Sequence, residues 1–572
     1  MGQNVLIIGG VALGPKAACR CKRLDPEANI TLIDENVMIS YGGCGIPFYI
    51  SGEINNIDDL RSTPYHTLRD ADFFKELKGI NVRTQTRALS IDRENKTVLV
   101  QDVVSGKEES LSYDKLVLAT GASPRKLPIE GCDLDNVYAL TRLEAAHALR
   151  KGCEKGEISQ AVVIGGGFIG LECAVALTEM WGVKTSIVEM APTILSATLS
   201  PSLALMAEQD LRANEVDVFS GESLVRLEGE NGKVCRVVTN KRTLDAQVVI
   251  LAAGFVPNGQ LAAAAGLKVT PFGAIEVNQH MQTDDPSIYA GGDCVSVPNL
   301  ITGKMGYIPL GSMANRQGRI IGSNLAGIKS SFKGYVGSWG VKLFGLSFCG
   351  AGFTVAQALR EGFDAISVQI EQLDRAHFYP EKHMMGLELV VDKATERVLG
   401  IQGVCESADA LKARVDAVAA AMQIGKPTIE DISNLEILYT PPMASAMDVI
   451  NVVANVADNA VAGRFEPLAP QDFVKLWENR AENNAFFIDS RPKAAAIAVE
   501  KEESDWHAIP FEEIRDRINE VPKDRPIVMI CNTGLRAYDV TLILKNAGYN
   551  NIVNSGGGLQ AVIKQGFSPL KG

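Results

Sequence analysis

The stretch SYGGCGIPFYISG, Ser40 to Gly52, carries one cysteine, Cys44, in a glycine-rich bend ahead of a helix expected to start near Pro47. A lone thiol can attack a sulfur–sulfur bond and hold a mixed disulfide or a persulfide. Flanking glycines free the backbone, and a helix start adds partial positive charge, so the setting is expected to lower the pKa of this thiol. A second thiol stands in VMICNTGLRAYDV, which reads as strand, short loop and helix. The N–H groups of the loop from Cys531 to Arg536 can form a nest that stabilises an anionic sulfur, and Arg536 would close the ring.

Two glycine loops have the spacing that cradles a pyrophosphate. Gly165, Gly167 and Gly170 follow a strand and open a helix, with acidic Glu189 beyond. A carboxylate at that place accepts hydrogen bonds from a ribose 2′-OH and repels a 2′-phosphate, which favours NADH over NADPH. Glu172, on the helix after this loop, is taken as a further cofactor contact. The first loop departs from the pattern: Gly9 and Gly14 fit, Val11 fills the middle position, and Asp34 takes the ribose place.

These residues need strands ending at the loops and helices behind them. The chain alternates strands and helices, the pattern of α/β layers on parallel sheets. A strand between the two loops ends in Ala119, Thr120 and Gly121; VVILAAGFVPN and SIYAGGDCVSV then return the chain to the first unit. The expected domains are a cofactor domain of residues 1–115 and 245–325, a nested dinucleotide domain of residues 116–244, an α+β domain of residues 326–455 with an Ala-rich helix from Ala410 to Met422, and a small α/β domain of residues 465–572.

Composition narrows the partners. The 572 residues are 46% apolar and 22% charged, with net charge -12 and no long basic run, so nucleic acid and membranes are not expected partners. No apolar run is long enough for a transmembrane helix, and the first strand leaves no room for a signal peptide, so the expected location is cytoplasmic. Eleven cysteines in so long a chain do not make a disulfide scaffold, and the Cys19–Cys21 pair lacks partners for a metal site.

The order of loop, ATG, second loop, GFVPN and YAGGDC resembles the two-dinucleotide flavoprotein disulfide reductases over about residues 4–325. The resemblance implies FAD in the first site, NAD(P)H in the second, and Asp293 on the flavin ribityl chain. Most of that class pair two redox cysteines; here the +5 position from Cys44 is Tyr49. SYGGCGIP is similar to the single-cysteine branch, which includes coenzyme A disulfide reductases, persulfide reductases, and NADH oxidases and peroxidases. Ser40 and Tyr41 fit its motif, which makes Ser40 an expected substrate-binding residue, and Gly43 replaces an Asn. The branch binds coenzyme A near the first helix, which points to Arg20, Lys22 and Arg23. It also carries a tyrosine from a dimer partner, which YTPPMASAMDVIN gives as Tyr439; a second falls in HFYPE, as Tyr379 or Phe378.

Four residues separate Cys531 from Arg536, one fewer than in phosphatase loops; the loop, with IDSR and SGGG, resembles rhodanese. The whole chain is similar to coenzyme A disulfide reductase–rhodanese fusions, including NADH-dependent persulfide reductases. The implied reaction is NADH- and FAD-dependent reduction of persulfides or polysulfides, with coenzyme A persulfide as the expected substrate, at Cys44 in a homodimer, with Cys531 delivering sulfane sulfur. Rival readings are a coenzyme A disulfide reductase, an NADH oxidase or peroxidase cycling Cys44 as a sulfenate, and a sulfurtransferase serving a partner protein.

Overall fold

The computed structural model describes residues 2–568. The chain divides into two compact units, residues 1–190 with 222–335, and residues 191–221 with 336–572.

In the first unit, strand β1 (Asn4–Ile8) leads through the first glycine loop into α1 (Leu13–Leu24) and β2 (Asn29–Ile33). A single 3-10 turn over Gly43–Gly45 carries Cys44 into the short helix α2 (Ile46–Ser51). Strands β3 (Asn81–Arg83) and β4 (Lys115–Leu118) follow. The second loop is built by β5 (Val137–Tyr138), α3 (Leu143–Glu154), β6 (Gln160–Ile164), α4 (Phe168–Trp181), β7 (Lys184–Glu189) and β8 (Val248–Leu251). Strand β9 (Ile288–Ala290) returns to the first sheet, and α5 (Gly311–Leu325) packs on α1. The first sheet runs β9-β4-β1-β2-β3 and the second includes β7-β6-β8-β5, every pair parallel. Helices on the sheet faces explain the unbroken apolar runs of β1, β4, β6 and β8, whose central residues are buried. Small antiparallel sheets at 86–112 and 224–245 lie outside the alternating pattern; their short, half-exposed strands leave little apolar periodicity.

The second unit holds two sheets. Strands β10 (Trp339–Leu343), β11 (Leu346–Gly352), β12 (Ala365–Leu373), β13 (Met384–Asp392) and β14 (Val398–Cys405) form an antiparallel sheet of order β10-β11-β14-β13-β12. Helices α6 (Ala408–Ile424) and α7 (Val449–Val461) pack on it. Then β15 (Glu466–Leu468), β16 (Phe486–Asp489), β17 (Trp506–Ala508), β18 (Ile527–Ile530), α8 (Leu535–Asn546), β19 (Ile552–Ser555) and α9 (Gly558–Lys564) make a parallel sheet of order β15-β19-β18-β16-β17. Among the described residues no helix is long and apolar enough to cross a membrane. None of their His, Cys, Asp and Glu side chains form a group of three that could hold a metal ion.

Candidate active site: two thiols and two glycine loops

The two glycine loops are built alike. Gly9 and Gly165 have φ of 112° and 109°, which glycine alone adopts readily. A Cβ on Gly14 would lie 1.9 Å from the Gly9 carbonyl oxygen, and one on Gly170 would lie 2.0 Å from that of Gly165, so each helix packs directly under its loop. Each loop ends against a carboxylate: the Gly10 N–H donates to Asp34 at 2.7 Å, and the Gly166 N–H donates to Glu189 at 2.6 Å. A Cβ at Gly167 would meet nothing within 4 Å, which leaves open the approach a pyrophosphate needs. The strand end at Ala119 is fixed by its N–H to Ile8. Thr120 and Gly121 are tied to Asn258 of the GFVPN segment: the Thr120 hydroxyl donates to the Asn258 carbonyl at 2.7 Å, and the Asn258 amide donates back to the Thr120 carbonyl at 2.8 Å.

The thiol bend is coupled to the first loop. Ser40 takes a left-handed φ of 53°, a strained state for a non-glycine residue, and its N–H donates to the Gly10 carbonyl at 2.8 Å. The place of a second cysteine is structural: the buried Tyr49 shares a 2.7 Å hydrogen bond with His147 of α3, and Arg150 lies over its ring. No thiol pair is available here.

The expected lowering of the Cys44 pKa is not what the structure gives. Cys44 is solvent-accessible as a residue, and its sulfur lies beside the start of α5, where a Cβ on Gly311 would make an ordinary contact at 3.8 Å. Partial desolvation first, then the negative charges of Glu172 and Asp293, raise the thiol's pKa, and a backbone hydrogen bond lowers it. The two carboxyls are themselves pushed up by burial, Glu172 to about 7 and Asp293 to about 6. No hydrogen bond or ion pair among the described residues engages either carboxylate.

Beside the bend, α1 and α5 pack closely. A Cβ on Gly318 would lie 2.8 Å from the Leu13 carbonyl oxygen, and one on Gly322 would lie 2.6 Å from that of Ala17. This contact brings Lys16, Arg20 and Arg23 of α1 together with Asn315, Arg316 and Arg319 of α5 around a pocket of about 210 Å³. Five cations with no carboxylate in the lining make an anion site. Lys22 stands outside it, because its ammonium donates to the Pro26 and Ala28 carbonyls at 2.6 and 2.8 Å. Sequence reasoning missed Lys16, Arg316 and Arg319. The spacing 16, 20, 23 puts three cations on one helix face and was the available signal.

In the second unit, the buried Cys531 sits at the end of β18, and the Gly534 N–H donates to its sulfur at 3.1 Å. Arg536, in the first turn of α8, makes no hydrogen bond or ion pair with the described residues. Asp489 and Arg491 form a buried bidentate pair, joined by the Trp506 indole N–H, so IDSR is a structural element of this domain. Tyr439 is half-exposed and Tyr379 half-buried, on two loops staked by one buried side chain: Arg414 donates to the Asp374 and Met443 carbonyls at 3.0 and 2.9 Å and pairs with Asp448.

A model of the pyridine nucleotide-disulphide oxidoreductases matches residues 3–318 and one of their dimerisation domain matches residues 340–449. The chain belongs to this family of oxidoreductases. A rhodanese-like domain matches residues 472–565. An NAD(P)H coenzyme A polysulfide/persulfide reductase of Pyrococcus horikoshii is 34% identical over 80% of this chain and 99% of its own. An NADH oxidase of Methanocaldococcus jannaschii is 33% identical over 80% of this chain and 98% of its own. The solved NAD-dependent persulfide reductase from A. fulgidus is 38% identical and superposes with a TM-score of 0.91, covering 99% of this chain and all of its own.

As a pyridine nucleotide-disulphide oxidoreductase the chain uses FAD and NAD(P)H. The residues present fit the flavin of the family. A Cβ at Gly121 would meet nothing within 4 Å, Gly14 lets α1 close under the first loop, and the unpartnered Asp293 carboxylate stands ready for a hydroxylated chain. Tyr307, donating to the Asp293 main-chain carbonyl at 3.0 Å, and Gln317, accepting from the Gly292 N–H at 2.7 Å, hold that turn; neither lies in a sequence motif.

Proposed function

We propose that this oxidoreductase reduces persulfides at Cys44, with coenzyme A persulfide as the preferred substrate and Cys531 as the carrier that delivers sulfane sulfur. The observation that carries the reading is the second thiol: a chain with only the lone Cys44 would suit an NADH oxidase equally well, whereas the loop around Cys531 serves sulfur transfer.

The domain boundaries proposed are 1–115 with 245–325 for FAD, 116–244 for the nicotinamide nucleotide, 326–455 for dimerisation and 465–572 for the rhodanese-like domain. Gly9, Gly14, Asp34, Ala119, Thr120, Gly121 and Asp293 hold the FAD. Gly165, Gly167, Gly170 and Glu189 hold the nicotinamide nucleotide, with Glu172 facing the cofactors. Glu189 would meet a ribose 2′-OH and repel a 2′-phosphate, so NADH is preferred. Bound there, FAD and NADH supply the two electrons that return a Cys44 persulfide to the thiol and hydrogen sulfide.

Residues of the chain do the rest. The cations Lys16, Arg20, Arg23, Arg316 and Arg319 take the phosphates of coenzyme A. Helix α5 starts beside the Cys44 sulfur and reaches this pocket within one to about two turns, about 6–12 Å at 1.5 Å per residue. A ligand with phosphates at one end and sulfur at the other fits that span. The Cys44 thiolate attacks the outer sulfur of the persulfide; that sulfur–sulfur bond breaks, a Cys44 persulfide forms, and coenzyme A leaves as its thiolate. Ser40 fixes the bend, and the Tyr439 phenol, brought by a second copy of the chain, donates a proton to the departing sulfur. Tyr379 supports the same site. The exposed apolar side chains Phe378, Leu438, Met443 and Met447 near these tyrosines support the homodimer. The expected location is the cytoplasm. Cys531 accepts sulfane sulfur, with Arg536 balancing the anion.

Cys44→Ser tests the reading. NADH-driven persulfide reduction should fall by at least about a hundred-fold while the visible flavin spectrum persists. Retained turnover would refute it. The rival NADH oxidase reading, which the Methanocaldococcus relative favours, requires oxygen uptake to match NADH consumption.

A further inference from the structure

The C-terminal thiol loop is carried by a helix that another domain grips. The N–H groups of Leu559 and Gln560, in the first turn of α9, donate to the Cys531 and Asn532 carbonyls at 2.8 and 3.0 Å. These bonds engage the loop carbonyls away from the sulfur, while the Gly534 N–H points at it. Gly558 sits so close beneath that a Cβ there would lie 2.4 Å from the Cys531 carbonyl oxygen. The orientation of the sulfur cradle is therefore the orientation of α9.

The antiparallel sheet sets that orientation through Glu371 of β12. Its side chain is fully buried. At the start of α9, the Glu371 Cγ fills the space over Gly557, where a Cβ would lie 2.9 Å away. At the other end, Lys564 donates to Glu371 Oε2 at 2.6 Å and to the Met384 carbonyl at 3.3 Å. The other carboxylate oxygen, Oε1, is buried with no hydrogen-bond partner. A half-satisfied buried carboxylate is a costly way to join two domains, since an apolar contact of the same volume would hold them at least as well. What the pair supplies is a fixed direction for α9.

We infer that Glu371 is a positioning residue for Cys531: its stem and carboxylate clamp both ends of α9, and α9 orients the loop that holds sulfur on Cys531. The dimerisation sheet is then a working part of the sulfur-carrier site. The inference rests on the reading of Cys531 as a sulfur carrier.

The test uses the full-length holoprotein with thiosulfate as donor and cyanide as acceptor. The Cys531 thiolate attacks the outer sulfur of thiosulfate, the sulfur–sulfur bond breaks and sulfite leaves. Cyanide then takes the outer sulfur from the Cys531 persulfide as thiocyanate and the thiolate returns. Glu371→Gln should slow thiocyanate formation by about ten-fold or more, the scale expected for a small misplacement of a reacting group. The reversed pair, Glu371→Lys with Lys564→Glu, keeps a Cγ over Gly557 and a charge pair of equal total length, and should restore most of the rate. The flavin spectrum and thermal unfolding report that each variant is folded. Parent-like transfer in Glu371→Gln, with transfer abolished by Cys531→Ser, would overturn the inference and leave the carrier reading standing. Equal loss in Glu371→Gln and the reversed pair would also overturn it. Transfer that survives Cys531→Ser would remove the carrier reading and the inference with it.

Discussion

The two thiols of this chain are held in opposite ways. Cys44 lies in a single 3-10 turn beside the start of α5, and desolvation first, then the charges of Glu172 and Asp293, raise its pKa. Cys531 lies in a loop whose Gly534 N–H faces the sulfur, followed by an Arg536 that makes no hydrogen bond or ion pair with the described residues. The first environment disfavours a resting anion; the second aims a backbone N–H donor at the sulfur. A thiol that must be returned to its reduced form in every turnover gains nothing from a strongly stabilised anion, because a poor leaving thiolate and a reactive nucleophile go together. A thiol that must store sulfur as an anionic persulfide gains from each donor aimed at it. The difference separates a reducing site from a carrying site, and it can be probed from each side.

The largest effect should come from the basic pocket, which serves Cys44 alone. Replacing Arg20 and Arg316 together by Ala removes two charge-assisted contacts, and KM for coenzyme A persulfide should rise by about a hundred-fold. Inorganic polysulfide, which lacks the nucleotide, should be reduced as before; equal losses with both substrates would detach the pocket from coenzyme A. On the other side, Arg536→Ala should lower thiosulfate–cyanide transfer by about ten-fold and leave reduction of coenzyme A persulfide at Cys44 unchanged. A parallel fall in both rates would mean the two thiols are not separable functions.

The third effect is on stability. Glu172 and Asp293 have pKa values raised to about 7 and about 6, above their ordinary unfolded values, so the folded flavin-free protein binds more protons than the unfolded chain between about pH 4 and 7. Stability should therefore fall as pH rises through that window, and the loss should be complete by about pH 8, one unit above the Glu172 value. Glu172→Gln should flatten the upper part of that slope in chemical denaturation. A slope unchanged by the substitution would show that Glu172 is not the group being desolvated.

The smallest effect concerns Gly43. A Cβ there would meet only the Tyr41 ring edge at 3.9 Å, and its φ is not in the left-handed region, so the backbone does not require glycine. Gly43→Asn should change stability by less than about 0.5 kcal/mol. By adding a polar contact beside Cys44, it should also lower KM for coenzyme A persulfide. A marked loss of stability would mean the bend needs glycine after all.

How much of this the sequence disclosed depends on how local each feature is. Gly9, Gly14, Gly165, Gly167 and Gly170 act within one strand–turn–helix, so spacing alone places them and the carboxylates that close each loop. The Cys531 loop is likewise contiguous. The acidity of Cys44 is not legible locally, because the burial that desolvates the thiol and the charges of Glu172 and Asp293 come from distant segments of the chain; the local glycines and helix start point the other way. The basic pocket was half visible. Arg20 and Arg23 could be named from α1, but Lys22 falls off their face, and Arg316 and Arg319 arrive only through the glycine contact between α1 and α5. Glu371 and Lys564 lie in different domains and carry no motif, so only the folded chain pairs them.

The most direct measurement is anaerobic NADH oxidation with coenzyme A persulfide and coenzyme A disulfide in parallel, comparing kcat/KM and sulfide released. The expected result is a clear preference for the persulfide, with one sulfide formed for each NADH consumed. A preference for the disulfide with no sulfide formed would contradict sulfur reduction as the task of Cys44 and leave the Cys531 domain without a role in it.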